Sequence, residues 1–143
     1  MSFAEMLAVP PEDRDLFMRW MVALARADGV LAPEEMSVLH ELVMIWDLKM
    51  EDVVQLHRGL RDGPILGTGA PPAFLDRRSA YLLVRMLVRL GHEDGSYDEE
   101  ERKAVHEVAR RYSVPMTRVV EMEDWVATSV AHQARGAELL QVV

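Results

Sequence analysis

The chain has 143 residues, half of them apolar and 28% charged, a composition typical of one soluble globular domain with its own core. Its formal net charge of −8 argues against nucleic acid as a partner, since that affinity depends on neutralising phosphates, and the lack of cysteine excludes disulfides and thiolate metal sites. No apolar run has the length of a membrane span and the N-terminus lacks a secretion signal, so we expect a cytoplasmic protein without membrane insertion.

The first half of the chain predicts helices. Residues 2–7 have room for one or two helical turns, and apolar residues at spacings of three and four predict a helix over residues 12–27. Asp28 and Gly29 end that helix, because glycine suits the left-handed turn that often follows one. The next two helices are predicted from Pro33 to about Ile45 and over residues 50–61.

A linker divides the chain. Residues 62–72 contain three glycines and three prolines, which favour irregular structure. After it, the apolar spacing predicts helices over residues 73–90, residues 98–112, a segment that starts near Met116, and a tail from about 123 to 140. No stretch alternates polar with β-branched residues, so the predicted fold class is all-α, with about seven helices in a single domain over residues 1–143.

The second half repeats the first with a shift of 66 residues. Residues 19–56 align without a gap on residues 85–122, with 12 identities in 38 pairs, whereas unrelated segments would match at about 6–8% of positions. A unit of about 40 residues is too small for a core of its own. We therefore predict two three-helix repeats, over about 12–61 and 73–125, that share one core around a pseudo-twofold axis, followed by a C-terminal helix to about 140.

Both repeats keep an acidic loop. The pattern Asp-Gly-x-x-x-x-x-Glu matches the second half of an EF-hand calcium loop, but the earlier ligand positions are not acidic, so no ordinary EF-hand forms. Two half-loops that meet across the axis could still offer carboxylate oxygens to a hard cation, with calcium and magnesium favoured. The candidate ligands are Asp28, Glu34, Glu35, Asp94, Asp98, Glu100 and Glu101.

A structural explanation of these acids competes with the metal site. Asp98 and Glu101 have the spacing of a capping box, and glutamates in a first helical turn complement the helix dipole. Asp28 and Asp94 are harder to explain, because a carboxylate at a helix C-terminus costs roughly 0.3–1 kcal/mol. Either a nearby arginine or histidine compensates for them, or the position serves a cation.

Basic residues on one predicted helix offer that compensation. Their spacings of seven, four and three place them on one face, where they could pair with the acidic loops without a metal, and two arginines match them in the first repeat. These residues are Arg78, Arg85, Arg89 and His92, with Arg19 and Arg26 in the first repeat.

Two histidines, His40 and His106, are also equivalent by repeat, and a zinc pair is conceivable. A partly buried histidine bonded to a backbone carbonyl is the favoured interpretation. No catalytic motif is present, neither a nucleophile elbow, a phosphate-binding glycine loop nor a zinc-protease helix. We therefore expect that the protein is not an enzyme.

The repeated loop motif resembles a known family. A helix that ends in Ala-x-x-Asp-Gly, as in residues 24–29, is followed by x-x-x-x-Glu-Glu and another helix, and a second copy has Gly91 in place of the alanine. This pattern is similar to TerB-like tellurite-resistance proteins and to the N-terminal domain of a membrane-anchored DnaJ-like co-chaperone. The resemblance covers residues 12–125 and implies a pseudo-twofold all-α fold of about seven helices with an acidic cluster proposed to bind divalent metal. By position, that cluster is Asp28, Glu34 or Glu35, Asp94, Asp98 and Glu100 or Glu101. Ala32 stands where the second loop has Asp98, so the site would be lopsided.

These observations favour a non-enzymatic TerB-like module that binds a divalent cation, calcium or magnesium, through the paired acidic loops. The resemblance implies a role in a stress-response or tellurite-resistance type of assembly, with a protein partner that could be membrane-associated. The alternative is a metal-free protein–protein interaction scaffold.

Overall fold

The computed structural model describes residues 3–25, 33–49, 51, 76–93 and 97–142, and within them every regular element is a helix. The prediction of an all-α fold is therefore confirmed. The helices are α1 (Phe3–Leu7), α2 (Pro11–Ala25), α3 (Pro33–Ile45), α4 (Arg77–His92), α5 (Glu99–Arg111) and α6 (Met116–Glu138). The predicted linker over residues 62–72 and all but Glu51 of the predicted helix over residues 50–61 lie outside the described residues, so the total of about seven helices stays a prediction.

Two helices differ from the sequence prediction. α4 begins at Arg77 and not at residue 73, because Asp76 has an extended backbone (φ −123°, ψ 125°) and its carboxylate caps the helix by accepting a hydrogen bond from the Arg78 N–H. At the other end of the chain, the third helix of the second repeat and the C-terminal helix are one continuous element, α6. No proline or glycine interrupts residues 116–135, so nothing ends the helix between them.

The helices of the two halves have matching bounds. α3 and α5 each contain 13 residues, and both their first and their last residues are 66 positions apart. α2 and α4 also begin 66 positions apart, at Pro11 and Arg77. Equal spacing at two pairs of helix starts and one pair of helix ends means that the same shift that aligns the sequences also aligns these elements.

The ends of α3 and α5 have the same backbone geometry. Asp47 (φ 53°) follows α3 and Ser113 (φ 57°) follows α5, and these are the positive-φ residues other than glycine in the described chain. Each lies in a Schellman motif, in which a six-residue hydrogen bond closes the helix end. Those bonds run from Leu48 N–H to Val43 O (2.9 Å) and from Val114 N–H to Ala109 O (2.8 Å), again 66 residues apart.

The core is centred on α4. This helix contacts α2, α5 and α6, and it buries a broad apolar face that includes Leu83 and Leu87. One continuous cluster of buried side chains joins residues of both halves, such as Phe17 and Leu39 with Leu83 and Val105. Burial of a leucine or phenylalanine stabilises a fold by about 1.5–3 kcal/mol, so the stability of each half depends on the other.

α6 is the longest helix of the described chain, yet it buries little. Among its 23 residues only Val119 and Val126 are buried. Every residue from Ala131 to Val142 is exposed, and we call this segment, residues 131–142, the α6 arm. Neither α6 nor any other helix in the described ranges is long and apolar enough to cross a membrane.

Candidate functional site around the second acidic loop

The structure describes the side chains of three predicted metal ligands, Asp98, Glu100 and Glu101. Two others, Asp28 and Asp94, lie outside the described residues. Glu34 and Glu35 fall in the first turn of α3, but their side chains are also outside the described part. The meeting of the two acidic loops therefore stays a prediction.

Asp98 and Glu101 form the capping box that the spacing suggested. The Asp98 carboxylate accepts a hydrogen bond from the Glu101 N–H at 2.8 Å, and Glu101 Oε1 accepts one from the Asp98 N–H at 3.5 Å. The Glu101 side chain points inward, with only 3% of the residue exposed. Both carboxylates already satisfy backbone amides at the start of α5, so a cation would compete with these bonds.

Glu100 behaves differently, because its carboxylate faces solvent. Its contact with Lys103 Nζ is long, at 3.8 Å, and both side chains are mostly exposed. Together with Glu99 and Glu101 it places three acids in the first turn of α5, where they complement the positive end of the helix dipole. Glu100, like the exposed Asp98, therefore presents its carboxylate to solvent, whereas Glu101 is buried.

Tyr97, in the segment before α5, packs against the end of α4. Its ring stacks on His92, with centroids 4.9 Å apart and planes 29° apart. It also covers Gly91 so closely that a Cβ there would lie 2.7 Å from Tyr97 Cδ1 and 3.2 Å from Glu101 Oε2. Glycine is required at position 91 because the ring and the carboxylate occupy the space of a side chain.

The same tyrosine reaches a cluster that the sequence analysis missed, centred on Glu123 of α6. The Glu123 carboxylate, whose side chain is 11% exposed, accepts hydrogen bonds from Tyr97 OH at 2.9 Å and Arg102 Nε at 3.1 Å. His106 Nε2 lies 3.2 Å from the same oxygen. The cluster joins the acidic loop segment and α5 to α6. A search by repeat could not find it, since the residue 66 positions before Glu123 is His57.

The environment sets the charge of this cluster. Burial alone would raise the pKa of Glu123, but hydrogen bonds from Tyr97, Arg102 and His106 outweigh it and lower that pKa below its ordinary value of 4.5. For Tyr97, burial and then the hydrogen bond to Glu123 raise the pKa far above its ordinary value of 10. At neutral pH Glu123 is therefore an anion and Tyr97 a neutral donor.

The partner of His106 corrects an expectation. The sequence favoured a histidine bonded to a backbone carbonyl, whereas His106 faces the Glu123 carboxylate. His40, its equivalent in the first repeat, is exposed. A carboxylate partner was not foreseeable from the repeat, because it comes from α6.

Two arginines of the predicted basic face of α4 form ion pairs, but their partners are not the predicted ligands of the acidic loops. Arg85 Nη2 lies 2.6 Å from Glu5 Oε2 of α1, and Arg89 Nε donates to Glu93 Oε1 at 2.8 Å, directly after the helix. Arg89 and His92 occupy the last turn of α4, where basic side chains interact favourably with the negative end of the helix dipole. Arg19 pairs with Asp15 on its own helix, and Arg26 lies outside the described residues.

Within the described ranges, no three or more Asp, Glu or His side chains are grouped in a way that could hold a metal ion. The side chains of four of the seven predicted ligands lie outside these ranges. The chain also matches no family model, no curated protein and no solved structure. The resemblance to TerB-like proteins therefore rests on the repeated loop motif alone.

Proposed function

We propose that this protein is a non-enzymatic interaction module with a TerB-like fold, in which two related halves share one core. The common shift of 66 residues in sequence, helix bounds and helix-end geometry supports a duplication. The loop motif supports the family assignment, and with it a place in a stress-response or tellurite-resistance type of assembly.

The observation that carries the interaction proposal is the α6 arm. All of its residues are exposed, and a hydrogen bond from Arg89 Nη2 to Gln133 Oε1 (2.8 Å) joins it to α4, so it gains little of the packing that stabilises most helices in proteins. The segment that follows the helix adds apolar side chains in full contact with solvent, with Leu139 67% exposed, Leu140 83% and Val142 98%. We infer that another molecule covers these three apolar side chains, which lie within four residues of one another in the chain.

Affinity purification with arm variants tests this function. The tagged chain, its Leu139→Ser/Leu140→Ser variant and a Met44→Ser control are expressed in cells that naturally make the protein, and co-purifying proteins are quantified by mass spectrometry. Met44 is a matched control because it is an apolar residue, 71% exposed, on α3. The wild type and the control should retain a near-stoichiometric partner that the arm variant loses. Equal recovery by all three chains would contradict the proposal.

A second candidate function, cation binding at the acidic loops, keeps one specific observation in its favour. α4 ends at His92, so Asp94 comes two residues after a helix C-terminus in the chain, where the dipole disfavours a carboxylate, and Asp28 is its equivalent by repeat. Calcium or magnesium would relieve that cost. The capping bonds of Asp98 and Glu101 argue for the metal-free function instead, since they engage the carboxylates of two proposed ligands.

Thermal unfolding in the presence of Ca²⁺, Mg²⁺, Mn²⁺ or Zn²⁺ separates the two functions. A cation site would stabilise the fold by about 2.7 kcal/mol at a hundredfold excess over the dissociation constant. Asp28→Asn/Asp94→Asn would abolish that gain, whereas Asp124→Asn on the exposed side of α6 would keep it. The interaction function predicts no gain with any of these ions at millimolar concentration.

A further inference from the structure

We propose that the groove between the end of α5 and the start of α6 binds an acidic segment of a partner protein that also carries an apolar side chain. This inference rests on the proposed function, because it assigns the module a second contact with a protein. The groove, which we call the α5–α6 groove, has a volume of about 650 Å³. Its walls include Lys103, His106, Glu107, Arg110, Val114 and Met116.

One wall of the groove is apolar. Val114 is buried behind the turn that ends α5, and Pro115 and Met116 continue the surface to the first turn of α6, with Met116 44% exposed. Methionine adapts its shape to different partners because its side chain is unbranched and polarisable. A cleft of this size with an apolar wall suits an inserted side chain, since ligand clefts typically enclose about 300–1,000 Å³.

The other wall is basic. Lys103, His106 and Arg110 follow one another on α5 at spacings of three and four residues, so they lie on one face of the helix. Glu107 is the acid among the lining residues, and it already pairs with two cations, Arg110 and Arg111. With Lys103 and Arg110 against Glu107, and His106 counted as neutral, the lining carries a formal charge of +1, whereas the whole chain carries −8.

These cations can exchange their present partners for a ligand. The Lys103–Glu100 pair is long and mostly exposed, and the Arg110 side chain is 76% exposed. Exposed ion pairs contribute only about 0–1 kcal/mol, so an incoming carboxylate replaces them at little cost. The negative charge elsewhere on the chain does not prevent this, since salt screens charges beyond about 8 Å under physiological conditions.

Both walls together select the occupant. A free inorganic anion would use the cations but would gain nothing from Val114 and Met116. A basic segment would be repelled by Lys103 and Arg110. A segment with Asp or Glu next to a leucine, isoleucine or phenylalanine satisfies both surfaces.

Selection of peptides from a random display library on the purified chain tests the proposal. Enriched peptides are synthesised with a fluorescent label, and their affinity is measured by fluorescence anisotropy. We expect acidic residues beside large apolar ones, and roughly tenfold or greater weakening by Lys103→Glu/Arg110→Glu, since rim charges of opposite sign favour binding. Met116→Ser should weaken binding as well. Lys49→Glu is the matched control, because it reverses an exposed charge after α3, away from both the groove and the α6 arm, and should leave the affinity unchanged.

Several results would overturn the inference. These are enrichment of basic or purely apolar peptides, equal affinity of the groove variants and the Lys49→Glu control, and displacement of the peptides by inorganic phosphate at millimolar concentration. Self-association that Lys103→Glu/Arg110→Glu abolishes, measured by sedimentation velocity, would assign the groove to a second copy and also overturn it. The α6 arm is tested by different residues, so failure of the groove leaves the purification experiment able to support the proposed function.

Discussion

Glu123 is the residue on which the most contacts around the second acidic loop converge. Tyr97, Arg102 and His106 all bind its carboxylate, so one side chain of α6 holds the loop segment and α5 in place. The capping box beside it was predictable, because its signal is a local spacing of Asp and Glu. Glu123 was not predictable, because its partners are 17 to 26 residues away and the first half has no equivalent acid.

We predict that Glu123→Gln destabilises the fold by roughly 1–3 kcal/mol, because the donors lose a charged acceptor that is largely buried. The effect depends on pH. Since the pKa of Glu123 is lowered by folding, its contribution is complete above pH 4.5 and is lost as the pH falls below that value. Urea unfolding from pH 3 to 7 measures this dependence. Glu121→Gln, an exposed change on the same helix, is the control and should leave stability nearly unchanged.

The two helical glycines of the described chain should respond oppositely to alanine. Gly91→Ala places a Cβ against Tyr97 and Glu101, and we expect a loss of about 1–3 kcal/mol despite the better helix propensity of alanine. Gly136→Ala meets nothing within 4 Å, so it should only increase the helicity of the arm. Thermal melting and circular dichroism measure both. An equal response at the two sites would contradict the close packing of Tyr97 over Gly91.

At the scale of elements, local signals set most helix bounds. Pro33 and the apolar spacing predicted α3 with its observed bounds, while α4 starts later than predicted because Asp76 caps it. The continuity of α6 was missed because the repeat suggested a boundary near residue 123 that no glycine or proline enforces. Element ends are therefore predictable where a capping residue or a helix-breaking residue marks them.

Asp47 and Ser113, the left-handed residues after α3 and α5, should respond to substitution by glycine. Ser113→Gly should stabilise the fold by about 1 kcal/mol, because a non-glycine residue at φ 57° has a conformational cost that glycine avoids. Asp47→Gly should gain less, since aspartate tolerates this conformation better. Ser129→Gly, in the right-handed backbone of α6, is the control and should lower stability. Chemical denaturation of the three variants compares them, and a loss at Ser113 would contradict the Schellman geometry.

At the scale of the whole molecule, the two halves depend on one set of buried side chains. The sequence predicted a shared core from the small size of each repeat, and the continuous cluster through α4 agrees with that reasoning. The orientation of the halves could not be derived from sequence, because an alignment contains no information about how equivalent helices face each other. The duplication stays a proposal, supported by equal spacing of the helix bounds.

A central core substitution tests the dependence of the halves on each other. Leu87→Ala in α4 should cost about 2–5 kcal/mol, because Leu87 is fully buried among residues of both halves. Hydrogen exchange should show the same loss of protection in α2 as in α5. A loss confined to α5 and α6 would mean that the halves unfold separately.

The most direct test of the interaction function is hydrogen–deuterium exchange across the α6 arm, residues 131–142, in the isolated chain and in complex with the partner recovered by purification. In isolation the arm is exposed throughout, and a hydrogen bond from Arg89 Nη2 to Gln133 Oε1 (2.8 Å) joins it to α4, so the amides beyond that bond should exchange much faster than those near Val119 and Val126. In the complex they should become protected, while α3 around Met44 stays unchanged. Protection of the arm in the isolated chain, or no change in the complex, would contradict the function proposed for it.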